Sequence, residues 1–127
     1  MVCKPLGRVR LLLIDAPEMS DGSLGREARN ELIGMMPVGT EVVAETDMQV
    51  TDQFGRVLAY LYLPNGDMVN ERMAESGYAT ALVYPPNVKY VERIREAVNR
   101  ARKAKRGLWE SGGFDCEPRD YRAGRCR

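Results

Sequence analysis

The sequence predicts an α+β domain built mainly from a small Greek-key β barrel with helices attached. Three observations lead there. Short β-branched or apolar runs occur at Arg8 to Ile14, Thr40 to Asp47 and Arg56 to Tyr62. An amphipathic helix is inserted after the first run, and a longer one, from about Lys89 to Arg106, ends the pattern before Gly107. A chain of 127 residues, 44% hydrophobic and 29% charged, supports one modest core, so residues 1–110 are read as a single domain and 111–127 as a tail.

Met1 to Pro5 carries no signal beyond Cys3. Arg10 to Ile14 is an apolar run behind one arginine, and it stops abruptly. Pro17 has no N–H and biases Ala16 toward an extended backbone, so the strand ends where two acids, Asp15 and Glu18, appear. A buried strand emerging into two carboxylates holds opposite charges in one rigid pocket, with turn capping as the plainer reading of both acids. Asp21-Gly22 then makes a turn, with Ser23 placed to cap a helix whose Leu24, Ala28, Leu32, Met35 and Met36 form one stripe. Pro37 to Gly39 stops it.

Thr40 to Asp47 alternates as a strand, Met48 to Gly55 connects, and Arg56 to Tyr62 completes a hairpin ended by Pro64-Asn65-Gly66-Asp67. Val69 to Ser76 reads as a short helix closed by Gly77, and Tyr78 to Val83 as a last strand. Tyr84-Pro85-Pro86-Asn87 forces a loop. On the final helix Val91, Ile94, Val98, Ala101 and Ala104 form a core stripe, while Lys89, Arg93 and the other charges read as a solvated face. The tail carries Gly112-Gly113, mixed charges and little to bury.

Composition removes several mechanisms. The chain has no histidine, which excludes Ser-His-Asp and Cys-His hydrolysis, zincins, zinc fingers and histidine-based nuclease motifs. Acid–base work is left to carboxylates, lysines, tyrosines and water. A net charge of +1 gives no global pull toward nucleic acid, so attraction must come from local clustering. Cys3, Cys116 and Cys126 contain no Cys-x-x-Cys pair, which argues against zinc. A Cys116–Cys126 disulfide would suit a secreted or extracytoplasmic compartment, and free thiols in a frayed tail are the other reading. No apolar run approaches the roughly 20 residues that span a bilayer, and no signal peptide is read at the N-terminus, so either a trimmed chain or an internal protein is expected.

Arg10-Leu-Leu-Leu-Ile-Asp15-Ala-Pro17-Glu18 resembles the signature of the staphylococcal nuclease family, and Thr51-Asp52-Gln53-Phe54-Gly55-Arg56-Val57-Leu58-Ala59-Tyr60 is similar to its second signature. Gly25, Glu27 and Ala28, Met68-Val69-Asn70-Glu71, Tyr84 with its prolines, and Gly107-Leu108-Trp109 fall in matching order. The likeness runs from about Arg8 to Glu110. It implies an OB-fold barrel and a Ca²⁺-dependent nuclease acting on DNA and RNA with little sequence specificity, with no membrane partner.

Phosphodiester hydrolysis brings a nucleophile against negative charge, and the transition state adds more. Arg10 and Arg56 can each donate paired hydrogen bonds to phosphate oxygens and stay charged; surface salt bridges are the plainer reading. The resemblance implies that Asp15 and the carbonyl of Ala16 ligate Ca²⁺, and Glu18 then sits where a carboxylate orients or deprotonates water. An arginine is a poor general acid, which leaves Arg56 as charge stabiliser. Phe54 and Tyr84 can stack on bases, or pack in the core. At Phe54 the family commonly has tyrosine.

One part of the family pattern is missing. Members have a hairpin before the first signature, carrying an Asp-Gly-Asp motif with another calcium ligand, whereas here nine residues precede Arg10 and none is acidic. About two strands of a five-stranded barrel are lacking by that comparison, and calcium, which takes 6–8 oxygens, is expected to bind weakly. Three explanations stand: a trimmed fragment, a homodimer completed by strand exchange, or a tail that folds back with Asp115, Glu117 and Asp120 to supply a strand and a carboxylate. The rival to a nuclease is a catalytically impaired OB-fold module that binds nucleic acid or a protein.

Overall fold

The computed structural model describes residues 1–17, 22–110, 112, 114 and 117–124, with the backbone alone for 120 and 121. Leu12 and Leu13 do not continue the first strand. It divides into β2, Gly7–Leu11, and β3, Ile14–Asp15, with Leu13 between them at φ 67. A left-handed leucine costs about 1–2 kcal/mol. Burial of Leu12 and Leu13, 7% and 4% exposed, offsets that cost and re-aims the chain so that Asp15 enters a different sheet.

The main sheet has the order β1-β2-β5-β4. Its outer strand β1, Val2–Cys3, runs antiparallel to β2, so the N-terminal residues that carry no signal in the sequence supply a strand. β2 lies parallel to β5, Val57–Tyr62, and β4, Val43–Thr51, antiparallel to β5. Parallel neighbours need a long crossover, and helix α1, Gly22–Met35, lies in it. β3 pairs with β6, Thr80–Ala81, in a separate two-stranded sheet. Among the described residues neither sheet closes on itself, so the fold is α+β with open sheets.

Several boundaries differ from expectation. β4 begins at Val43 rather than Thr40 and runs on past Asp47 to Thr51, where the Asn87 side chain bonds both backbone groups of Gln49. The predicted strand from Tyr78 to Val83 narrows to Thr80–Ala81. Ser23 lies inside α1 rather than capping it. The tail does bury side chains: Phe114 is 6% exposed, its ring 4.7 Å from Trp109, and Pro118 is fully buried at the start of α4, Pro118–Arg122. Cys3 is a free, half-buried thiol. Cys116 and Cys126, and with them the disulfide, lie outside the described residues, as do Asp115 and the Asp120 side chain.

The core brings β2, β3 and β5 against α2, Val69–Glu75, and α3, Val91–Lys103, through Leu11, Leu61, Val69, Met73, Ile94 and Ala97. Where α2 ends and α3 closes, Gly77 at φ 89 touches Arg106; a Cβ there would stand 2.1 Å from the Arg106 carbonyl oxygen, so only glycine fits. Asn70, fully buried on α2, accepts from the Leu61 N–H at 3.1 Å and donates to the carbonyls of Leu12 at 2.9 Å and Ala59 at 3.2 Å. One side chain thus serves three backbone groups where β2 leaves the sheet.

The charges expected to form a solvated face are largely paired. Arg93 forks onto Glu71, and Lys89 donates to Glu45, which also accepts from the hydroxyls of Tyr62 and Tyr90, each at 2.8 Å. Tyr60 donates to Asp47 at 2.7 Å. The hydrogen bond from Lys89 holds Glu45 below the ordinary carboxylate range, with the two tyrosines adding to it against the opposing cost of burial.

Replacing Asn70 by alanine strands three buried backbone groups and is expected to lower stability by about 2–3 kcal/mol, read from urea unfolding followed at Trp109. Glu45 has a depressed folded pKa, so its contribution is present above its unfolded value, about 4.3, and is lost as pH falls through the lower folded value. Glu45→Gln is therefore expected to lower Tm by about 2–5 °C at pH 7, with the difference from the parent narrowing as pH is taken below about 4. A constant difference down to pH 2.5 would contradict this.

Candidate functional site

Arg10 pairs in register with Leu58 across the parallel β2–β5 ladder, and Arg56 lies two residues before Leu58. Side chains alternate along a strand, so Arg10 and Arg56 come to the same face. Their closeness is felt electrostatically. Burial pushes the Arg10 guanidinium below its ordinary pKa, the Asp15 carboxylate works against that, and the charges of Arg56 and Arg122 reinforce it, while Tyr84 opposes. Arg10 and Arg122 thus meet at Asp15, with Arg56 and Tyr84 near enough for their charges to act on Arg10. Arg10, Arg56, Ala16 and Pro17 border an open cleft of about 1190 Å³ between α1 and strands β1 and β2, where Leu32 and Met36 supply apolar wall.

The turn that delivers Arg56 is built by Asp52. Its Oδ1 accepts the N–H groups of Phe54 and Arg56, both at 2.9 Å, and its Oδ2 accepts Arg56 Nε at 2.7 Å. Gly55 at φ 76 completes the reversal. Burial alone would raise the Asp52 carboxyl, and these hydrogen bonds from Arg56 and Phe54 more than cancel it, leaving the pKa lowered. Arg8 donates to the Phe54 carbonyl from the neighbouring strand. The loop is a rigid mount for a guanidinium, not a flexible connection.

Phe54 and Tyr84 are 60% and 68% exposed, which removes core packing as their explanation. The Arg56 guanidinium carbon lies 5.6 Å from the Phe54 ring centre, so the ring flanks the charge. Tyr84 belongs to a loop fixed by Asn87, whose amide mimics a strand partner for Gln49, accepting from its N–H at 2.7 Å and donating to its carbonyl at 2.9 Å.

Asp15 is 5% exposed and fixed by β3, where it faces Thr80 of β6. Its carboxylate is the negative centre of the site. Arg122 of α4 forks onto both oxygens, Nη1 to Oδ1 at 3.0 Å and Nη2 to Oδ2, while Arg10 Nη2 stands 3.9 Å from Oδ1 and Arg10 Nη1 donates to the Leu11 carbonyl at 2.7 Å. Among the described residues the tail returns to the site as helix α4 and brings a cation to Asp15, not the strand and carboxylate expected of it. Ala16 follows, half-buried. Glu18 lies outside the described residues. Among the described residues no three of His, Cys, Asp and Glu gather closely enough to hold a metal ion. No described helix is long and apolar enough to cross a membrane.

Sequence reasoning missed Asp52, Asn87 and Arg122 as parts of this site. Asp52 was findable, since an aspartate opening a turn four residues before an arginine favours such a mount. Arg122 gave no local signal, because its partner lies 107 positions away.

Residues 8–111 match the model of the family described as Staphylococcal nuclease homologue. The thermonucleases of Staphylococcus hyicus and Staphylococcus intermedius are each 35% identical to this chain over 108 residues, covering 81% of it and 63% of their own length. Endonuclease YncB of Bacillus subtilis (strain 168) is 30% identical over 112 residues, 84% of this chain and 53% of its own. The chain thus spans less than two thirds of the length of these relatives.

Asp15→Asn would leave Arg10 and Arg122 without their counter-charge and is expected to lower unfolding free energy by about 1–3 kcal/mol at neutral pH. Chemical denaturation checks it, and an unchanged midpoint would contradict the pairing.

Proposed function

Since the chain belongs to the Staphylococcal nuclease homologue family, we propose that it is a hydrolase that cleaves phosphodiester bonds of DNA and RNA with little sequence specificity. The observation that supports this most is that Arg10 of β2, beside the buried Asp15, and Arg56, in the turn leading into the parallel neighbour β5, come to one face. Two fixed guanidinium groups on one face suit the equatorial oxygens of a phosphoryl centre, where charge develops during displacement. Because the mounts are already in place, little reorganisation is needed when that charge appears.

Water attacks phosphorus, its oxygen forming the new P–O bond as the bond to the leaving oxygen breaks. Glu18, three residues beyond Asp15, is assigned to orient the water and take its proton. Arg10 and Arg56 stabilise the added charge. The leaving oxygen takes a proton from solvent, since a guanidinium gives its proton up too reluctantly. Phe54 and Tyr84, exposed at the margin of the site, stack on flanking bases, which fits low sequence specificity because every base offers a π-face.

Calcium is assigned no step. Asp15 and the Ala16 carbonyl are the residues that would hold it, but among the described residues the donor set does not fit with α4 seated: one carboxylate, already forked by Arg122, against the 6–8 oxygens calcium takes. That same pairing favours a second reading, a module that binds nucleic acid without cutting it.

Degradation of plasmid DNA and of RNA, with Ca²⁺ and with EDTA, separates the two. Arg56→Gln is expected to slow cleavage by about 10²–10³-fold, with folding intact by circular dichroism, and Glu18→Gln to abolish it. Folded protein that binds single-stranded DNA but leaves it whole under both conditions would establish the binding module instead.

A further inference from the structure

The proposed chemistry makes no use of the fork between Arg122 and Asp15. Arg122 projects from α4 and meets both oxygens of Asp15, a carboxylate whose side chain is 6% exposed against 33% for Arg122. The geometry is fork on fork, which gives direction as well as charge compensation. The helix that carries it is anchored independently, by Pro118 in its first turn and by Phe114 against Trp109. A buried carboxylate needs a positive partner, and here the chain supplies one from its own C-terminal region.

We propose that Arg122 is a built-in counter-ion standing where a divalent cation would bind at Asp15, so that seating of α4 and binding of an oxygen-seeking cation such as Ca²⁺ exclude one another. The proposal deepens the reading of the same site and rests on it for Asp15 as the cation ligand. A third positive group cannot join this carboxylate cheaply: Arg122 is forked onto it and Arg10 is 3.9 Å away, and in a partly buried setting the repulsion is weakly screened. A cation that enters must displace Arg122, and α4 must then leave Asp15. With Arg122 seated, the site is instead a nest of guanidinium groups.

Calorimetric titration of Ca²⁺ into the full chain tests this, with hydrogen exchange across residues 112–124 followed in parallel. Arg122→Gln is expected to tighten Ca²⁺ binding by about tenfold or more, and Arg122→Lys, which keeps the charge but loses the fork, to fall between. Arg119→Gln, an exposed charge on the same helix, is expected to leave affinity near that of the parent. In the parent, saturating Ca²⁺ should raise exchange in the α4 segment. Equal affinity in the parent and Arg122→Gln, equal tightening by Arg119→Gln, or exchange unmoved by Ca²⁺ would each overturn the competition. Absence of Ca²⁺ binding in every variant would overturn it as well, while the assignment of phosphodiester hydrolysis stands or falls separately on substrate degradation.

Discussion

The site depends on how β2 is allowed to leave its sheet. At Leu12 the ladder with β5 ends, and in a dry interior the freed backbone groups would be costly. Asn70 removes that cost by donating to the carbonyls of Leu12 and Ala59 and accepting from Leu61. With these groups satisfied, the chain can turn through the left-handed Leu13 and place Ile14–Asp15 on a second sheet against Thr80–Ala81. Without that exit, Asp15 would continue along β2, on the path of the main sheet. A helix side chain far from any chemistry thus sets where the carboxylate lies.

The two arginines are placed by different means, and the contrast explains how they meet. Arg10 is positioned by strand pairing, in register with Leu58. Arg56 precedes β5 and is held by its own turn, in which Asp52 binds backbone and guanidinium together. The parallel ladder then aligns the end of the turn with the arginine of β2. A shift of one residue would send one side chain to the opposite face, so the register carries the geometry and the turn carries the orientation.

Much of this was legible in the sequence, for identifiable reasons. The Asp15-Ala16-Pro17 break is local, written in backbone chemistry, and the amphipathic stripes of α1 and α3 follow from helical periodicity. The strand from Arg8 to Ile14 was read as continuous because Leu12 and Leu13 look like any buried strand; nothing local announces a leucine at φ 67 when the reason lies in Asn70, across the core. β6 was read too long because Tyr78 to Val83 has strand composition but finds a partner only over two residues. The tail was read as having little to bury, since Phe114, Pro118 and Arg122 are isolated in sequence and acquire meaning only against Trp109 and Asp15.

For the hydrolase proposed above, electrostatics must act locally rather than through the whole chain. The net charge of the whole is +1, too small to steer anything at a distance. Within the site, among the described residues, Arg10, Arg56 and Arg122 stand with Asp15 and Asp52, in a place where burial already pushes Arg10 below its ordinary pKa. Charges there are less screened than charges on the open surface, including the pairs of α3 with Glu71 and Glu92. Those outer pairs cancel locally and contribute little field. In the proposed reaction Arg10 and Arg56 are the charges a phosphate would meet, felt over about a Debye length, near 8 Å in physiological salt. Recognition under these conditions is short-ranged. In the proposed reaction the phosphate must therefore come down to Arg10 and Arg56 before it is held.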